Sequence, residues 1–400
     1  MTALSHQRNR TKNGPEALLN ELASWVAIGS GSNNESGLNA MRACLLKAFS
    51  QLDAEVEILD CEGAQMTGEI DRFPRYALRI CSRHTTGKPI LFSGHYDTVY
   101  EGDGWSESIG EVDGRQRTKG PGITDMKGGL LVILETLRRW QAGSHGKSVA
   151  WEVLLTPDEE IGSTFSIPLL KESAEHCRFG LVYESSLEDG AFVRARMGSA
   201  VYTLRVKGRS SHVGRDFSEG RNAILGLATL SAQIAAFSKE DELIVNVGSI
   251  RGGGPLNVVP DLAEAQWNVR AWSREVITAF EERVASLIES FNQIDPYLQA
   301  TLEGGVVRPP KVVDEQTEAL YAQVGRIAEK IGLPVSWRNT GGGSDGSNLA
   351  AYGLPNIDNL GVCGGAIHSP DEFLINESLE ERVELSLAIL EAARVGEIEL

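Results

Sequence analysis

One short stretch, residues 89–99, constrains the fold of this chain more than any other; it reads PILFSGHYDTV. Its apolar run, ILF, predicts a buried strand, and polar residues follow where that strand ends. Because alternate side chains of an extended segment point the same way, His95 and Asp97 share one face. A histidine with a carboxylate two residues on suits a metal ligand and the group that orients it. The alternative, a polar strand end in which Asp97 caps or turns the chain, has equal weight on this stretch alone.

Strands alternate with helices on both sides of this stretch, which indicates a layered α/β core with functional groups at the strand ends. From about residue 198 the pattern changes to alternating strands with two helices, typical of a compact α+β unit, and the α/β pattern resumes near residue 310. The sequence therefore predicts a discontinuous domain of residues 1–197 and 310–400, with residues 198–309 inserted as a second domain. The predicted strands are 56–58, 76–80, 90–92, 149–155, 179–183, 200–207, 242–250, 262–272, 298–302, 334–337 and 357–362. The predicted helices are 15–26, 38–52, 126–140, 222–237, 276–291, 317–331 and one beginning at 376.

Length, charge and cysteine spacing bound the class of protein. A chain of 400 residues exceeds one ordinary hydrophobic core, and its formal charge of −17 argues against nucleic acid or an anionic membrane as a partner. Basic residues near the N-terminus precede no apolar region, and no apolar run is long enough to span a bilayer, so we expect a cytoplasmic protein. The five cysteines are scattered and never spaced as CxxC, which favours reduced, buried thiols over disulfides or zinc ligands.

Further residues of metal-binding type follow other predicted strands and loops. Asp125 stands between a glycine-rich loop and a helix start, and Glu160 ends the run DEE after a buried strand. Glu184 and His368 each follow another predicted strand. Taken singly, helix capping explains the aspartate and a solvated loop explains adjacent carboxylates. Together they lie at one edge of the predicted sheet, and nitrogen and oxygen ligands without cysteine suit a dinuclear zinc site, with cobalt or manganese as alternatives.

Five motifs, in this order along the chain, carry a resemblance to a known family: GHYDTV, GPGITDMKGG, TPDEEIGS, VYES and GGAIHSPDEF. The set resembles the co-catalytic zinc metallopeptidase family, which contains glutamate carboxypeptidase, aminoacylase, succinyl-diaminopimelate desuccinylase and tripeptide aminopeptidase. The resemblance covers nearly the whole chain. It implies a split α/β catalytic domain, in which helices flank a mixed sheet, and an inserted α+β ferredoxin-like lid domain through which two subunits form a homodimer.

The resemblance also assigns residues to the metal site. It implies two Zn²⁺ ions per subunit, held by His95, Asp125, Glu160, Glu184 and His368. Asp125 would bridge the two ions. His95 and Glu184 would complete the ligands of one ion, and Glu160 and His368 would complete those of the other. In this family the peptide bond after the bridging aspartate, here Asp125–Met126, is often cis.

Three other residues receive a catalytic role from the resemblance. Asp97 would orient His95, and Glu159 would act as general base, taking a proton from water and passing it to the departing nitrogen. His212, in the motif SSHVG, resembles a lid histidine that the partner subunit supplies to stabilise the oxyanion. Without the resemblance, His212 is interpreted as a lone polar histidine in a loop.

Three further matches concern the substrate. Asn257, in GGGPLNVVP, resembles a lid asparagine that contacts substrate, and Arg308 resembles the arginine that holds the substrate carboxylate in glutamate carboxypeptidases. Gly342 and Gly343 lie in the segment GGGSD, which resembles a backbone loop lining the site. The alternatives are a β-turn asparagine, a solvated arginine and a flexible linker.

The order and content of the motifs are most similar to those of glutamate carboxypeptidase. This predicts a small-molecule substrate, a peptide or N-acyl amino acid, whose amide bond to a C-terminal amino acid such as glutamate is hydrolysed. An N-acyl-amino-acid deacylase, a desuccinylase and an aminopeptidase remain alternatives, because the residues that select the side chain lie outside the motifs. A catalytically silent metal- or ligand-binding relative is the alternative from another class of protein.

Overall fold

A computed structural model of the chain describes residues 15–61, 73–83, 85–102, 108–112 and 114–400. The chain divides into two compact units. The first unit comprises the chain up to Arg194 together with Val313–Asn339 and Ser344–Leu400, and the second comprises Ala195–Val312 and Thr340–Gly343. The second unit thus extends beyond residues 198–309 at both ends and also takes in the short glycine-rich segment after residue 339.

Helices and strands alternate along most of the chain. The helices of the described residues are α1 Pro15–Val26, α2 Glu35–Phe49, α3 Gly128–Ala142, α4 Ile167–His176, α5 Ala223–Ala235, α6 Arg274–Asn292, α7 Glu315–Lys330, α8 Asp345–Ala351 and α9 Glu377–Arg394. Their strands are β1 Ala54–Asp60, β2 Tyr76–Ser82, β3 Ile90–His95, β4 Ser108–Val112, β5 Arg115–Lys119, β6 Trp151–Thr156, β7 Gly180–Val182, β8 Phe192–Arg196, β9 Gly198–Lys207, β10 Leu243–Gly252, β11 Leu262–Ala271, β12 Gln299–Arg308, β13 Trp337–Thr340, β14 Asn356–Ile357, β15 Gly364–Gly365 and β16 Phe373–Ile375.

The first unit is built on a six-stranded sheet in the order β1-β2-β6-β3-β7-β14. Strands β6, β3, β7 and β14 are parallel, whereas β2 runs antiparallel to both of its neighbours, so the sheet is mixed. Every residue of β3 and of β6 is buried, as expected for central parallel strands that are covered on both faces. Phe92 of β3 stacks on Tyr183 with ring centroids 5.8 Å apart. The predicted α/β layer with a mixed sheet is therefore confirmed.

Helix α3 packs its apolar face into the core of the first unit. Leu130, Leu134 and Leu137 are fully buried, and α9 packs beside this helix. The sequence predicts a helix from residue 126, but regular helix begins only at Gly128. The preceding residues, Ile123–Lys127, include non-helical backbone at Asp125 and at the residue that follows it. This irregular segment carries one of the predicted metal ligands.

Several short elements of the first unit differ from the sequence prediction. A second sheet, in the order β15-β16-β5-β4, is not predicted, and neither are α4, α8 and β8. The predicted strand 357–362 is reduced to the two residues of β14, and the predicted strand 334–337 lies a few residues later, as β13, where it pairs with β8. Short strands depend on partners far away in the sequence, and a local apolar pattern does not reveal such partners.

The second unit has a four-stranded antiparallel sheet in the order β10-β11-β9-β12. Along the chain its elements follow as β9, α5, β10, β11, α6 and β12, which is the ferredoxin-like arrangement. Inward residues alternate with outward ones on β11, where Ala265, Trp267 and Val269 are buried. The predicted α+β fold of the inserted region is confirmed, although β12 continues to Arg308 rather than ending near residue 302.

Two further sequence expectations concern helices and thiols. Within the described part of the chain, no helix combines the length and the apolar character that crossing a bilayer requires. All five cysteines lie in that part and are free thiols, as the sequence predicts, but only Cys61, Cys177 and Cys363 are buried, whereas Cys44 and Cys81 are partly exposed.

Candidate metal centre

The ends of three neighbouring strands meet at one edge of the central sheet. Strand β3 ends at His95, β6 leads into a short 3₁₀ turn, Glu159–Ile161, and Glu184 follows β7 by two residues. Because these strands are parallel, their carboxyl ends lie at the same edge. The fold thereby gathers side chains that are far apart in the sequence.

Asp125 stands between two histidines. Its Oδ1 is 3.4 Å from His95 Nε2, and its Oδ2 is 3.2 Å from His368 Nε2. Each histidine also faces a glutamate: His95 Nε2 is 3.6 Å from Glu184 Oε2, and His368 Nε2 is 3.2 Å from Glu160 Oε2. The five side chains expected from the sequence to bind metal thus form one continuous cluster, with one aspartate oxygen facing each imidazole.

Asp97 holds two parts of the cluster together. Its Oδ1 lies 3.2 Å from His95 Nδ1 and accepts a hydrogen bond from the backbone N–H of Glu159 at 3.0 Å. Its Oδ2 accepts from the backbone N–H of Glu160 at 3.1 Å and from the Ser32 hydroxyl at 2.8 Å. The sequence predicts only the contact with His95. The carboxylate also fixes the turn that carries the predicted general base.

The segment that carries Asp125 is held by a residue without a predicted role. The carboxylate of Glu372, which is almost fully buried, accepts hydrogen bonds from the backbone N–H groups of Gly122, Thr124 and Asp125 at 2.9–3.0 Å. The peptide bond Asp125–Met126 is cis, as the family resemblance implies. The only sequence signal for Glu372 is its place in the motif GGAIHSPDEF, four residues after His368.

Burial and mutual charge shift the proton affinities of the cluster. Burial raises the pKa of Glu160 and of Glu184, and the negative charge of Asp125 adds to the rise at Glu160. Burial also acts to raise the pKa of Asp125, but the imidazoles of His368 and His95 outweigh it and lower that pKa. The neighbouring carboxylates raise the pKa of His95 in spite of its burial and raise the pKa of His368 to about 10.

The donor atoms fit a metal ion. The ligand atoms of His95, Glu159 and Glu184 lie within 4.8 Å of one another, and so do those of His95, Asp125 and Glu160. Among the described residues, His95 Nε2 and Glu160 Oε1 are buried and accept or donate no hydrogen bond. Buried polar atoms without partners are costly, and a cation at this position would satisfy both.

The second unit carries the other predicted site residues. His212 forms an antiparallel bridge with Val258, and the carbonyl oxygen of Asn257 accepts a hydrogen bond from the backbone N–H of Val213 at 2.9 Å. The Nδ1 atom of His212 accepts from the backbone N–H of Gly214 at 3.1 Å, so the proton of the neutral ring lies on Nε2. His212 and Asn257 are both exposed.

Arg308 and the predicted glycine loop are neighbours in the second unit. Arg308 is buried, and a Cβ atom on Gly343 would approach its Cδ to 2.4 Å, so a larger residue at 343 would displace the arginine side chain. Arg196 Nη1 donates to the carbonyl oxygens of Gly342 and Gly343 at 3.0 and 3.3 Å. The structure therefore brings seven of the predicted site residues together in the first unit and the other five into two groups in the second unit.

A mixed α/β sheet with histidines and carboxylates clustered at its edge is the architecture of a metal-dependent hydrolase. Comparison with known proteins gives the same class. The chain belongs to the peptidase family M20/M25/M40, whose model matches residues 91–392. It is 30% identical over 297 residues to carboxypeptidase G2 of Pseudomonas sp. (strain RS-16), covering 71% of this chain and 68% of that protein. It is 26% identical over 320 residues to succinyl-diaminopimelate desuccinylase of Stutzerimonas stutzeri (strain A1501), covering 74% and 81%.

Solved structures show the same fold over nearly the whole chain. The aminopeptidase PepT from Bacillus cereus ATCC 10987 matches with a TM-score of 0.72 and 25% identity, covering 94% of this chain and 98% of that chain. The Bacillus subtilis protein YXEP, described as a dinuclear metal binding peptidase, matches with a TM-score of 0.66 and 16% identity over the same shares of the two chains. The resemblance drawn from the five motifs is confirmed, and the protein is a hydrolase of the metal-dependent peptidase and amidohydrolase class.

The contacts of Glu372 lead to a prediction about metal affinity. Glu372→Gln replaces a carboxylate by an amide that accepts fewer of the three N–H groups, so the segment carrying Asp125 should lose its fixed position. We expect metal affinity to fall about 10- to 100-fold, as is usual for residues that hold a ligand in place. Competition with a chromogenic chelator measures this.

The adjacent residue is the matched control. Asp371 is exposed and pairs with Lys119 at 2.7 Å, so Asp371→Asn removes the same charge without touching the segment. Unchanged affinity in Glu372→Gln, or an equal loss in both variants, would contradict the role assigned to Glu372.

Proposed function

We propose that this protein hydrolyses the amide bond of a peptide or N-acyl amino acid and releases an amino acid with a free α-carboxylate, such as glutamate. The observation that carries the proposal is the cluster at the sheet edge, in which Asp125 faces both His95 and His368 while Glu159 lies close to His95 and Glu184. The likeness to carboxypeptidase G2 over more than two thirds of both chains supports this leaving group.

We propose two Zn²⁺ ions as the cofactor, with Co²⁺ or Mn²⁺ as alternatives. The nitrogen and oxygen donors of the cluster suit these ions. Asp125 would bridge them, with His95 and Glu184 on one side and Glu160 and His368 on the other. When bound, such a pair supplies a polarised amide carbonyl and a water of lowered pKa.

Glu159 would be the general base. Its backbone N–H is fixed by Asp97, and its carboxylate lies near the His95 imidazole and the Glu184 carboxylate, so its position is defined before substrate arrives. It would take a proton from the attacking water, whose oxygen bonds to the acyl carbon. It would then pass that proton to the nitrogen as the carbon–nitrogen bond breaks, which gives a carboxylic acid and a free amine.

The second unit would supply the substrate contacts. His212 carries its proton on Nε2 and can donate it to the oxyanion that develops on the acyl oxygen. Arg308 would bind the α-carboxylate of the leaving amino acid in bidentate fashion, and in a chain of charge −17 such a local cation is needed to attract an anion. Asn257 and the backbone of Gly342 and Gly343 would line the substrate.

Glu159→Gln tests the catalytic role. The amide keeps the size of the side chain but cannot take a proton, so we expect turnover to fall by a factor of about 10²–10⁴ while the metal content stays the same. Metal analysis of the purified variant and a steady-state assay on an N-acyl glutamate measure the two quantities. The control is Glu188→Gln on an exposed glutamate of the same unit. Full turnover in a Glu159→Gln protein that retains its metal would refute the mechanism.

Arg308→Lys tests the substrate class. Lysine keeps the charge but loses the planar fork, so we expect KM for substrates with a free α-carboxylate to rise about 10- to 100-fold with little change in kcat. The matching substrates with an α-carboxamide should be poor for the parent enzyme and unaffected by the substitution. Arg205→Lys, at an arginine paired with Glu264 in the same unit, is the control.

The same substrate series separates the alternatives. A preference for substrates with a free α-amine over those with a blocked one would identify an aminopeptidase, and a preference for N-succinyl groups regardless of the leaving amine would identify a desuccinylase. No turnover of any amide by the metal-loaded protein would identify a catalytically silent relative. Each of these results would replace the carboxypeptidase assignment.

We also propose a homodimer that forms through the second unit. Strand β10 is an outer strand of its sheet, and it exposes Ile244 and Ile250, while Leu225 on α5 is 66% exposed. An outer strand with apolar side chains is suited to pairing with a second copy about a two-fold axis. A dimer of this kind would allow His212 to act on the metal centre of the partner subunit.

Co-expression of two inactive chains tests this arrangement. A His212→Ala chain and a Glu159→Gln chain should each give nearly inactive homodimers, but their heterodimer should contain one intact site, because the intact histidine and the intact base come from different chains. Activity well above the sum of the separate proteins is expected. The same mixture with Ile250→Arg in both chains should be monomeric by light scattering and should lose the gain. Activity equal to the sum in a confirmed heterodimer would show that His212 acts within its own chain.

A further inference from the structure

A second group of metal-binding side chains lies at the opposite end of strand β6. Its members are Glu152 on β6, Cys81 on the neighbouring strand β2, and His176 and Cys177 at the end of α4. Cys81 and Glu152 are directly opposite each other in the sheet. Glu152 precedes the end of β6 by four residues, which separates it along the strand from the metal centre by about 13 Å. The group is therefore independent of the predicted catalytic residues.

The ligand atoms of this group are already close together. One ligand atom each from Glu152, His176 and Cys177 lie within 4.8 Å of one another. The Cys81 sulfur is 3.9 Å from Glu152 Oε2, which itself is 2.8 Å from His176 Nε2. Zinc bonds of about 2.0–2.3 Å place tetrahedral donors about 3.3–3.8 Å apart, so adjustments of about 1 Å would suffice for Glu152, His176 and Cys177. The Cys81 thiol, which contacts Glu152, would rotate toward the other two ligands to complete the set.

The hydrogen bonds of His176 leave one position, between its Nε2 and Glu152, that a proton or a metal ion can occupy. Its Nδ1 lies 2.7 Å from the carbonyl oxygen of Glu172, and a carbonyl can only accept, so Nδ1 carries a proton. In the neutral ring, Nε2 then presents a lone pair to a carboxylate oxygen. Two acceptors at 2.8 Å require a proton or a metal ion between them. A ring nitrogen that donates to a backbone carbonyl is the usual partner of a metal-binding nitrogen on the same imidazole.

The other contacts of Glu152 leave Oε2 directed at these ligands. Ser173 donates to Oε1, and Arg79 Nε stands 3.7 Å from the same oxygen, too far for a hydrogen bond. Arg79 instead donates hydrogen bonds from both of its terminal nitrogens to the carboxylate of Glu172, at 3.1 and 2.9 Å. One carboxylate oxygen is thus anchored, while the other faces the imidazole and the Cys81 thiol.

We propose that Glu152, His176 and Cys177, with Cys81 as the fourth ligand, form a structural Zn²⁺ site. Two sulfurs, one imidazole and one carboxylate are a donor set that zinc prefers in closed tetrahedral sites. The ion would displace the thiol protons on binding and would join β2 and β6 to the end of α4. The imidazole is 41% exposed, so an ion can enter from solvent, whereas Glu152 and Cys177 are buried.

Cobalt substitution tests the site without reference to activity. The metal-free protein is titrated with Co²⁺, and the near-ultraviolet sulfur-to-cobalt charge-transfer band is recorded. The predicted catalytic ligands include no cysteine, so this band reports a thiolate-bound ion outside the catalytic centre, whether or not the proposed function is correct, and the variants below locate it. We expect the band to saturate at one equivalent beyond those bound at the catalytic centre and to disappear when Zn²⁺ is added.

Two variants test the ligands, and a third is the control. Cys177→Ser and His176→Gln should each remove the band or weaken Co²⁺ binding at least about 10-fold. His176→Gln serves where the buried serine affects folding, because residue 176 lies at the half-exposed end of a helix. Cys44→Ser, on α2 and outside the group, should leave the band unchanged.

Two results would overturn the proposal. One is the absence of a charge-transfer band in the parent protein at saturating Co²⁺. The other is a band that survives unaltered in both Cys177→Ser and His176→Gln, since the sulfur ligand would then lie elsewhere.

Discussion

Repulsion between buried carboxylates is the constraint around which the first unit is arranged. Asp97, Asp125, Glu159, Glu160 and Glu184 converge on one sheet edge, where the imidazoles of His95 and His368 accompany them. Like charges in a low-dielectric site disfavour one another, so each carboxylate must find a positive partner or keep a proton. Asp97 accepts hydrogen bonds from two backbone N–H groups, and Asp125 interacts with two imidazoles. Glu160 and Glu184 have raised pKa values, so a nearby cation would favour their charged forms.

Buried carboxylates also fix the loops from which this cluster is built. Asp97 accepts hydrogen bonds from the turn after β6, and Glu372 accepts three from the segment before α3. Charged acceptors form stronger hydrogen bonds with backbone N–H groups than neutral ones do, so each carboxylate can hold an irregular loop that has no regular secondary structure of its own. The positions of Glu159 and Asp125 thus depend on acidic residues that need not touch a metal ion or substrate.

The sequence reveals the cluster because the parallel sheet follows a simple rule, but it does not reveal these supports. Apolar runs mark β3, β6 and β7, and parallel strands deliver the residues after them to one edge, so His95, Glu160 and Glu184 could be predicted. Glu372 could not, because its partners are backbone N–H groups about 250 residues away, which leave no residue pattern. The pairing of β16 with β5 could not be predicted either, because these strands are also far apart along the chain. Likewise, Cys81 and Glu152 become neighbours only through strand register, so cysteine spacing along the chain argued against a site that includes them.

The two ends of β6 differ in the kind of ion they can select. At the carboxyl end the donors are carboxylates and imidazoles, which accept several divalent ions. At the amino end two sulfurs accompany one imidazole and one carboxylate, and sulfur donors favour zinc over the harder ions. Because α4 follows the Glu159–Ile161 turn and ends at His176, an ion bound there would fix the far end of the segment that begins at the catalytic turn. Strand β6 would then have a closed site at its amino end, where the ion stabilises the fold, and an open site at its carboxyl end, where the ions take part in catalysis.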